Sequence, residues 1–375
     1  MSDTEYSSYL SSIEEVMEDA RNGRMFILVD HEDRENEGDL VVPAQMATPD
    51  VINFMAKHGR GLVCLSIEDQ RARDLGLNMM ERRNDSGLGT AFTTSIEAAE
   101  GVTTGISAHD RAHTIAVAID PSKDHRDIAT PGHVFPLIAR KGGVLVRAGH
   151  TEAAVDIARM AGLLPAGVIC EVMNDDGTMA RLPDLVKFAQ FHNLKVATIS
   201  DLIAYRRMHE KVIECKVEKK VTSAYGGEFD LKVYVNNAQY AEHIALVKGD
   251  VSSGEPVLVR MHAVNVADDL LGLHQDRANI VQDAMTQIGR EGRGVVVLIR
   301  EPRPTTVSES VAGKPVVAHE ESSKKLLEYG VGAQILADLG VKEMILLSNS
   351  PRPHVVGLEG YGLSIVGRRP LGENT

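Results

Sequence analysis

The chain has 375 residues, of which 43% are apolar and 25% charged, enough for two ordinary soluble domains with a core in each. Its formal net charge of -13 repels nucleic acid and anionic membrane, so neither is expected as a partner. An anionic small molecule would then need a local positive site, or a metal, inside a negative field. The absence of Trp and an aromatic content of 4% weigh against stacking surfaces for bases or sugars.

The N-terminus, MSDTEYSSYL, has no apolar signal core. No apolar run approaches the ~18 residues of a membrane span. Ser12 and Glu15 form a capping box ahead of a helix that Gly23 ends. Met25–Asp30 (MFILVD) then reads as a buried strand. Further strands are expected at Leu62–Ile67, Thr114–Ile119, Gly143–Arg147, Val168–Met173 and Lys195–Ile199. Helices are expected at Glu152–Ala161 and Asp184–His192, and from a Ser200 cap to about Met208. This mixture predicts an α+β class, a layered α/β first domain over 1–207. The charged, alternating stretch HEKVIECKVEKKV marks a linker running into an exposed strand, and a second mixed α/β domain follows over 208–375. Strands near Val257–Met261 and Gly294–Ile299 and helices near Ile280–Ile288 and Val331–Leu339 belong to it. Cys64, Cys170 and Cys215 are far apart and make no CxxC pair, which fits a reducing, cytoplasmic setting without disulfides.

Five segments of the first half carry chemistry. Asp30–Asp39 (DHEDRENEGD) holds six carboxylates and one arginine directly after a buried strand. Such a run is either a solvated turn or a site for a hard divalent cation, which relieves the repulsion between crowded carboxylates. Gly142–Glu152 (GGVLVRAGHTE) reads as strand, turn and helix start, with Thr151 as N-cap. The unpaired N–H groups of a helix start, with Arg147 beside them, suit a phosphate, and His150 is a candidate metal ligand or base. In Thr130–Pro136 (TPGHVFP) two prolines and a glycine place His133 on a rigid loop. Glu171, in the apolar run VICEVM, is an acid–base candidate if buried and ordinary if it lies on an edge strand. Val102–Arg111 (VTTGISAHDR) offers hydroxyls and N–H groups at a turn. Together the five suit a metal-assisted enolisation of a sugar phosphate.

RENEGD, TGISAHDR, PGHVFPL, RAGHTEA and ICEVMNDDGTMAR, in this order over about residues 10–205, closely resemble 3,4-dihydroxy-2-butanone 4-phosphate synthase. The resemblance implies conversion of ribulose 5-phosphate to 3,4-dihydroxy-2-butanone 4-phosphate and formate, in riboflavin synthesis. It implies Mg²⁺ or Mn²⁺ held by Glu35 and His150, and a homodimer with active sites near the subunit interface. Arg34, Glu35, Asp39, Arg147, Ala148, Gly149, His150, Thr151 and Glu171 match substrate-binding positions. His133 and Glu171 match the residues regarded as essential for catalysis, and Glu37, Cys64, Thr104 and Ser107 match pocket positions.

Residues beyond 207 resemble GTP cyclohydrolase II through YGVGAQILADLGV, LLSNSPRPHVVGLEGYGL and RMHAVNVADDLLG. At the positions of that family's three zinc cysteines stand Asn265, Asp276 and Ala278. Zinc in such a site relies on thiolates, so no zinc is expected. REPRP stands where the family has QEGRG, and Lys325 and Leu327 stand where it has a catalytic Asp and Arg. The second domain is therefore expected to keep the fold without the activity, in a structural or dimer-stabilising role, although Arg260 and GLEGYG offer a weak nucleotide site. Cyclohydrolase activity retained through an unfamiliar metal site, and a regulatory domain that senses a nucleotide or flavin, are the alternatives.

Overall fold

The computed structural model describes residues 6–31, 34–80, 90–238, 240–273, 279–301, 305–312, 330–349, 358 and 361–371. The chain divides into two compact units, Met1–Arg206 and Arg207–Thr375. Among the described residues no helix is long and apolar enough to cross a membrane.

The first unit is built on β1 (Phe26–Val29), β2 (Gly38–Pro43), β3 (Cys64–Glu68), β4 (Ile96–Ala98), β5 (Ile128–Ala139), β6 (Ala166–Glu171) and β7 (Lys195–Thr198), ordered β4-β5-β3-β6-β2-β1-β7. The β1–β7 and β3–β5 pairs are parallel and the others antiparallel. Helices cover both faces. Ile27, Val29, Leu40, Val42 and Val168 pack in one core with α2 (Pro49–Phe54), α3 (Asp69–Asp74), α4 (Ala108–Ile119) and α6 (Leu182–His192). Phe26, Leu28, Val41, Cys64 and Ile169 pack against α1 (Ile13–Arg21), α5 (His150–Met160) and α7 (Ile199–His209). Burial on both faces explains why the central strands are unbroken apolar runs such as FILV rather than alternating ones. The capping box at α1 is as expected: Ser12 Oγ accepts from Glu15 N–H and Glu15 Oε2 accepts from Ser12 N–H.

Four local expectations differ from what is found. Thr114–Ile119 is the second half of α4, not a strand. An apolar hexapeptide has no periodicity to separate strand from buried helix. The Ser107 cap, which accepts from Asp110 N–H, starts a helix that carries through it. Gly143–Arg147 is a 3₁₀ turn over Gly143–Leu145 followed by a turn residue, Val146, and irregular backbone. Gly142 and Gly143 both take left-handed φ (96° and 63°), and Asp156 Oδ2 accepts from Val144 N–H. His133 lies within β5 rather than on a loop. Pro136 is compatible with that strand because only its carbonyl is used, accepting from Thr93 N–H. Finally, α5 is capped by Gly149, and Thr151 is buried inside its first turn.

The second unit carries β8 (Ile213–Ser223), β9 (Gly227–Asn236), β10 (Ala241–Lys248), β11 (Val257–Ala263), β12 (Gly294–Ile299), β13 (Glu343–Leu347) and β14 (Ser364–Arg369), ordered β14-β13-β11-β12-β10-β9-β8. From β8 to β12 the pairing is antiparallel, and from β12 to β14 it is parallel. β8 is exposed along most of its length, as its charged alternation suggests. Short α8 (Val266–Asp269), α9 (Ile280–Glu291) and a helix over 330–338 complete the parts used below.

Candidate active site and metal centre

The acidic run closes the hairpin between β1 and β2. Asp30 organises it: its Oδ2 accepts from Glu35 N–H (3.1 Å) and its Oδ1 from Glu37 N–H (2.9 Å). Asn36 supplies the left-handed residue at φ 54°. Arg181, at the start of α6, donates to the carbonyls of Glu35 and Asn36 and ties the loop down. Asp30 and Asp39 are buried, at 6% and 3% exposure, so the carboxylates at the two ends of the run are not solvated. Glu32 and Asp33 lie outside the described residues.

The N-terminus of α5 meets this hairpin. His150 Nε2 lies 3.2 Å from Leu28 O, on the β1 backbone. A carbonyl only accepts, so Nε2 carries the proton and Nδ1 faces the carboxylates. Nδ1 is 3.7 Å from Glu35 Oε2 and 3.8 Å from Asp39 Oδ1. Ligand atoms of Asp30, Glu35 and His150 all lie within 4.8 Å of one another. Carboxylate oxygens with one imidazole, its second nitrogen pinned by a carbonyl, form a donor set for Mg²⁺ or Mn²⁺. Asp39 Oδ1 is buried and has no hydrogen-bond partner, which is what a residue waiting for a cation or substrate hydroxyl looks like.

The electrostatics agree. Burial alone would keep His150 neutral, but the carboxylates of Asp39, Glu35 and Asp30 outweigh it and push the ring up to about 9. Burial raises Asp39 to about 7, although His150 works against this. Burial also opposes ionisation of Glu35, yet His150 and Arg34 hold it below the usual carboxylate range. Glu37 is raised by burial and by the charge of Glu35. Arg34 Nη1 spans Asp30 Oδ2 (2.7 Å) and Glu35 Oε2 (2.5 Å), a single guanidinium against several carboxylates.

Register brings Glu171 to the same place. It ends β6 directly opposite Asp39 on β2. Both therefore project to the face covered by α5, like Val41 and Ile169 two residues away. β6 is an inner strand, so the edge-strand alternative for Glu171 is removed. Glu171 Oε2 accepts from Leu62 N–H at 2.8 Å. Gly61 permits that contact, because a Cβ there would lie 2.5 Å from Glu171 Oε2 and 2.5 Å from its carbonyl oxygen.

The remaining candidates divide. Arg147 Nη1 pairs with the buried Glu152 at 2.7 Å and Nη2 donates to Thr90 Oγ1. Gly149 leaves room for that guanidinium, since a Cβ would collide with it and sit 3.0 Å from Glu152 Oε2. Ala148 is exposed beside them. No side chain caps α5, so its first N–H groups, those of His150 and Thr151 among them, lack intrahelical partners. Cys64 is buried on β3 and burial raises its thiol pKa, which suits packing rather than thiolate chemistry. Ser107 caps α4, and Thr104 is exposed on the preceding turn. His133 is separate from the cluster: the β3–β5 register leaves it two strand spacings from Glu171, and its ring Nδ1 contacts Glu97 Oε1. Sequence reasoning singled out none of Gly61, Glu97 and Thr90. Asp30, Glu152 and Arg181 stood in named segments without assigned roles.

In the second unit, Asn265 caps α8: its Oδ1 accepts from Ala267 N–H and its Nδ2 donates to Asp268. His262 Nε2 sits 2.9 Å from both Asp269 oxygens. Asp276, Ala278, Lys325 and Leu327 lie outside the described residues.

The fold sets a candidate divalent-cation centre beside the open first turn of a helix. Family models place the chain further: 3,4-dihydroxy-2-butanone 4-phosphate synthase matches residues 14–205 and GTP cyclohydrolase II matches 214–370. The "Riboflavin biosynthesis protein RibBA" of Aquifex aeolicus is 48% identical, over 96% of this chain and 92% of that protein. A "3,4-dihydroxy-2-butanone 4-phosphate synthase" of Pseudomonas aeruginosa is 47% identical, over 95% and 98%. Among solved structures, RibBX, described as a two-domain 3,4-dihydroxy-2-butanone 4-phosphate synthase from A. baumannii, superposes with a TM-score of 0.77 at 41% identity, over 96% and 99%. A synthase in complex with two magnesium ions gives 0.51 at 38% identity, covering 53% of this chain and 98% of that one. The chain belongs to the 3,4-dihydroxy-2-butanone 4-phosphate synthase family, with a GTP cyclohydrolase II-like second half.

Proposed function

We propose that the first unit converts D-ribulose 5-phosphate to L-3,4-dihydroxy-2-butanone 4-phosphate and formate, a lyase step of riboflavin synthesis. The observation that carries this is the meeting of Asp30, Glu35, Asp39 and His150 at the N-terminus of α5. A divalent cation held by Glu35 and His150 would polarise the ketose carbonyl and acidify the adjacent C–H. The chain's own groups supply the rest. The open first turn of α5 and Arg147 take the phosphate, with Gly149 and Thr151 in the same turn and Ala148 at its edge. Arg34 and Asp39 hold substrate hydroxyls. Glu171 and His133 move protons at the reacting carbons, and Glu37, Cys64, Thr104 and Ser107 shape the pocket.

The reading includes a homodimer, use of Mn²⁺ in place of Mg²⁺, and a cytoplasmic setting in which the free thiols of Cys64, Cys170 and Cys215 stay reduced. Formate release from ribulose 5-phosphate by the purified chain, with Mg²⁺ and with EDTA, tests it. Metal-dependent formate is expected, and none from a folded protein would overturn it.

For the second unit we infer a structural role, with neither zinc nor cyclohydrolase activity. What supports this is Asn265 in place of a thiolate, engaged in capping α8. The name RibBA on relatives keeps the bifunctional reading in view. Stoichiometric zinc with GTP consumption would overturn the structural role. Thermal stabilisation by GTP, FMN or riboflavin would replace it with a sensing one.

A further inference from the structure

A chain of net charge -13 gives an anion few places to settle. One is an open cavity of about 410 Å³, lined wholly by the first unit, at the C-terminal ends of β3 and β5. Arg73, Arg140, Lys141, Arg159 and Arg206 line it, against the carboxylates of Glu68, Asp69 and Asp156. The local balance of charge is thus the reverse of the whole chain's.

This cavity is separate from the active site. Glu171 meets Leu62 just before β3 begins, and Glu68 ends that strand. At about 3.3 Å per residue the two places lie about 20 Å apart along it. On α5 the cavity takes Val155, Asp156 and Arg159, whereas His150 opens the helix.

The floor is rigid and rests on buried groups. Asp156 and Arg206, 3% and 4% exposed, pair at 2.8 Å. Arg206 Nη1 also donates to Gly142 O, and Asp156 Oδ2 accepts from Val144 N–H. Gly143, at φ +63°, lies against that carboxylate, and a Cβ there would collide with it. In the wall, Arg73 is engaged by Asp69 and Gln70. Among the described residues no side chain pairs with Arg140, Lys141 or Glu68. Neighbouring cations repel each other, and an anion between them relieves that cost. A guanidinium fork and an ammonium point charge together suit a phosphate, and a carboxylate accepts from hydroxyls. The volume is that of a small-molecule site and exceeds what a bare phosphate fills.

We propose that this cavity is a second anion site, which takes a phosphorylated small molecule of sugar-phosphate size. Its phosphate lies against Arg140, Lys141 and Arg159, and its hydroxyls donate to Glu68.

The test is isothermal titration of the full chain with ribose 5-phosphate, in EDTA so that no cation draws the probe to the catalytic centre. Arg147→Ala, which lacks the phosphate contact of the active site, is compared with the same protein carrying Arg140→Ser and Lys141→Ser. Both added positions are exposed, and the Arg140 N–H bond to Glu152 belongs to the backbone, so the fold is kept. Arg147→Ala should bind the probe, and the added substitutions should weaken binding on the order of 10- to 100-fold, the range for loss of charge-assisted hydrogen bonds. No binding to Arg147→Ala, or equal affinity in the two proteins, overturns the proposal. In the wild-type background Arg140→Ser with Lys141→Ser should leave the KM for formate release unchanged. A raised KM would put the two cations in the active site and overturn it as well. The titration needs no turnover, so its outcome is independent of the synthase reading.

Discussion

Replacing Gly61 by alanine tests the placement of Glu171 without touching a charged group. A Cβ at position 61 would stand 2.5 Å from the carbonyl oxygen of Glu171, 2.5 Å from its Oε2 and 2.6 Å from its backbone nitrogen. Ordinary van der Waals contact begins near 3.4 Å, so the end of β6 or the Gly61 turn must yield by about 0.9 Å. Two of the three opposing atoms are backbone, so a side-chain rotation cannot absorb the shift. The Leu62 N–H bond to Glu171 Oε2, now 2.8 Å, is lost in the movement. Misplacing a reacting group by about 1 Å costs about 100-fold in rate, or ~2.7 kcal/mol of transition-state stabilisation. The expected result of Gly61→Ala is therefore a kcat for formate release about 100-fold lower at saturating Mg²⁺, with an unchanged circular dichroism spectrum. Wild-type kcat in a folded Gly61→Ala protein would show that Glu171 needs no such placement and would remove it from the catalytic set.

Mg²⁺ should raise the melting temperature of the wild type, and Glu35→Ala should abolish both that rise and metal-dependent turnover while the fold survives. Unchanged turnover at saturating Mg²⁺ would refute the ligand role. Arg147→Ala should raise KM, but the ion pair with Glu152, whose side chain is 1% exposed, adds a stability cost. Leaving that carboxylate unpaired should destabilise the unit by about 3 kcal/mol, and adding Glu152→Gln should recover much of it without restoring KM. Denaturant titration resolves the two effects, and a single variant as stable as wild type would refute the pairing. In the second unit, burial and then Arg300 lower His243 to about 4 from 6.5. The folded state thus prefers the neutral ring, so its contribution is present above pH 6.5 and fades as pH falls toward 4. About 2 kcal/mol should be gone at pH 5, and His243→Gln should flatten that dependence. Equal pH slopes in the two proteins would exclude His243 as the cause.

Local chemistry was legible where it depends on neighbours in the chain. The α1 capping box needs only Ser12 and Glu15, and the continuous apolar run of β1 announces a strand buried on both faces. The helix opened at the Gly149 turn was legible too, although the cap proved to be the glycine rather than Thr151. Where one local pattern serves two structures, the sequence was silent. The run over Thr114–Ile119 fits helix or strand, and a nearby cap decided. A stretch of six carboxylates fits a solvated turn or a metal site, and only the structure shows that Asp30 and Asp39 are buried.

By itself, the sequence determined the kinds of groups present, their order and the family they spell. Only the tertiary structure decided which of them meet. His150 is 122 residues from the Leu28 carbonyl that orients it, and it faces Glu35 and Asp39 because α5 lies across the β1–β2 face. Glu171 stands beside Asp39 through antiparallel register. Gly61 and Glu97 carry no signal of their own, since a missing Cβ or a single carboxylate has meaning only against the atoms opposite it. Those atoms come from other strands, and chain proximity cannot encode a distance that sheet order sets.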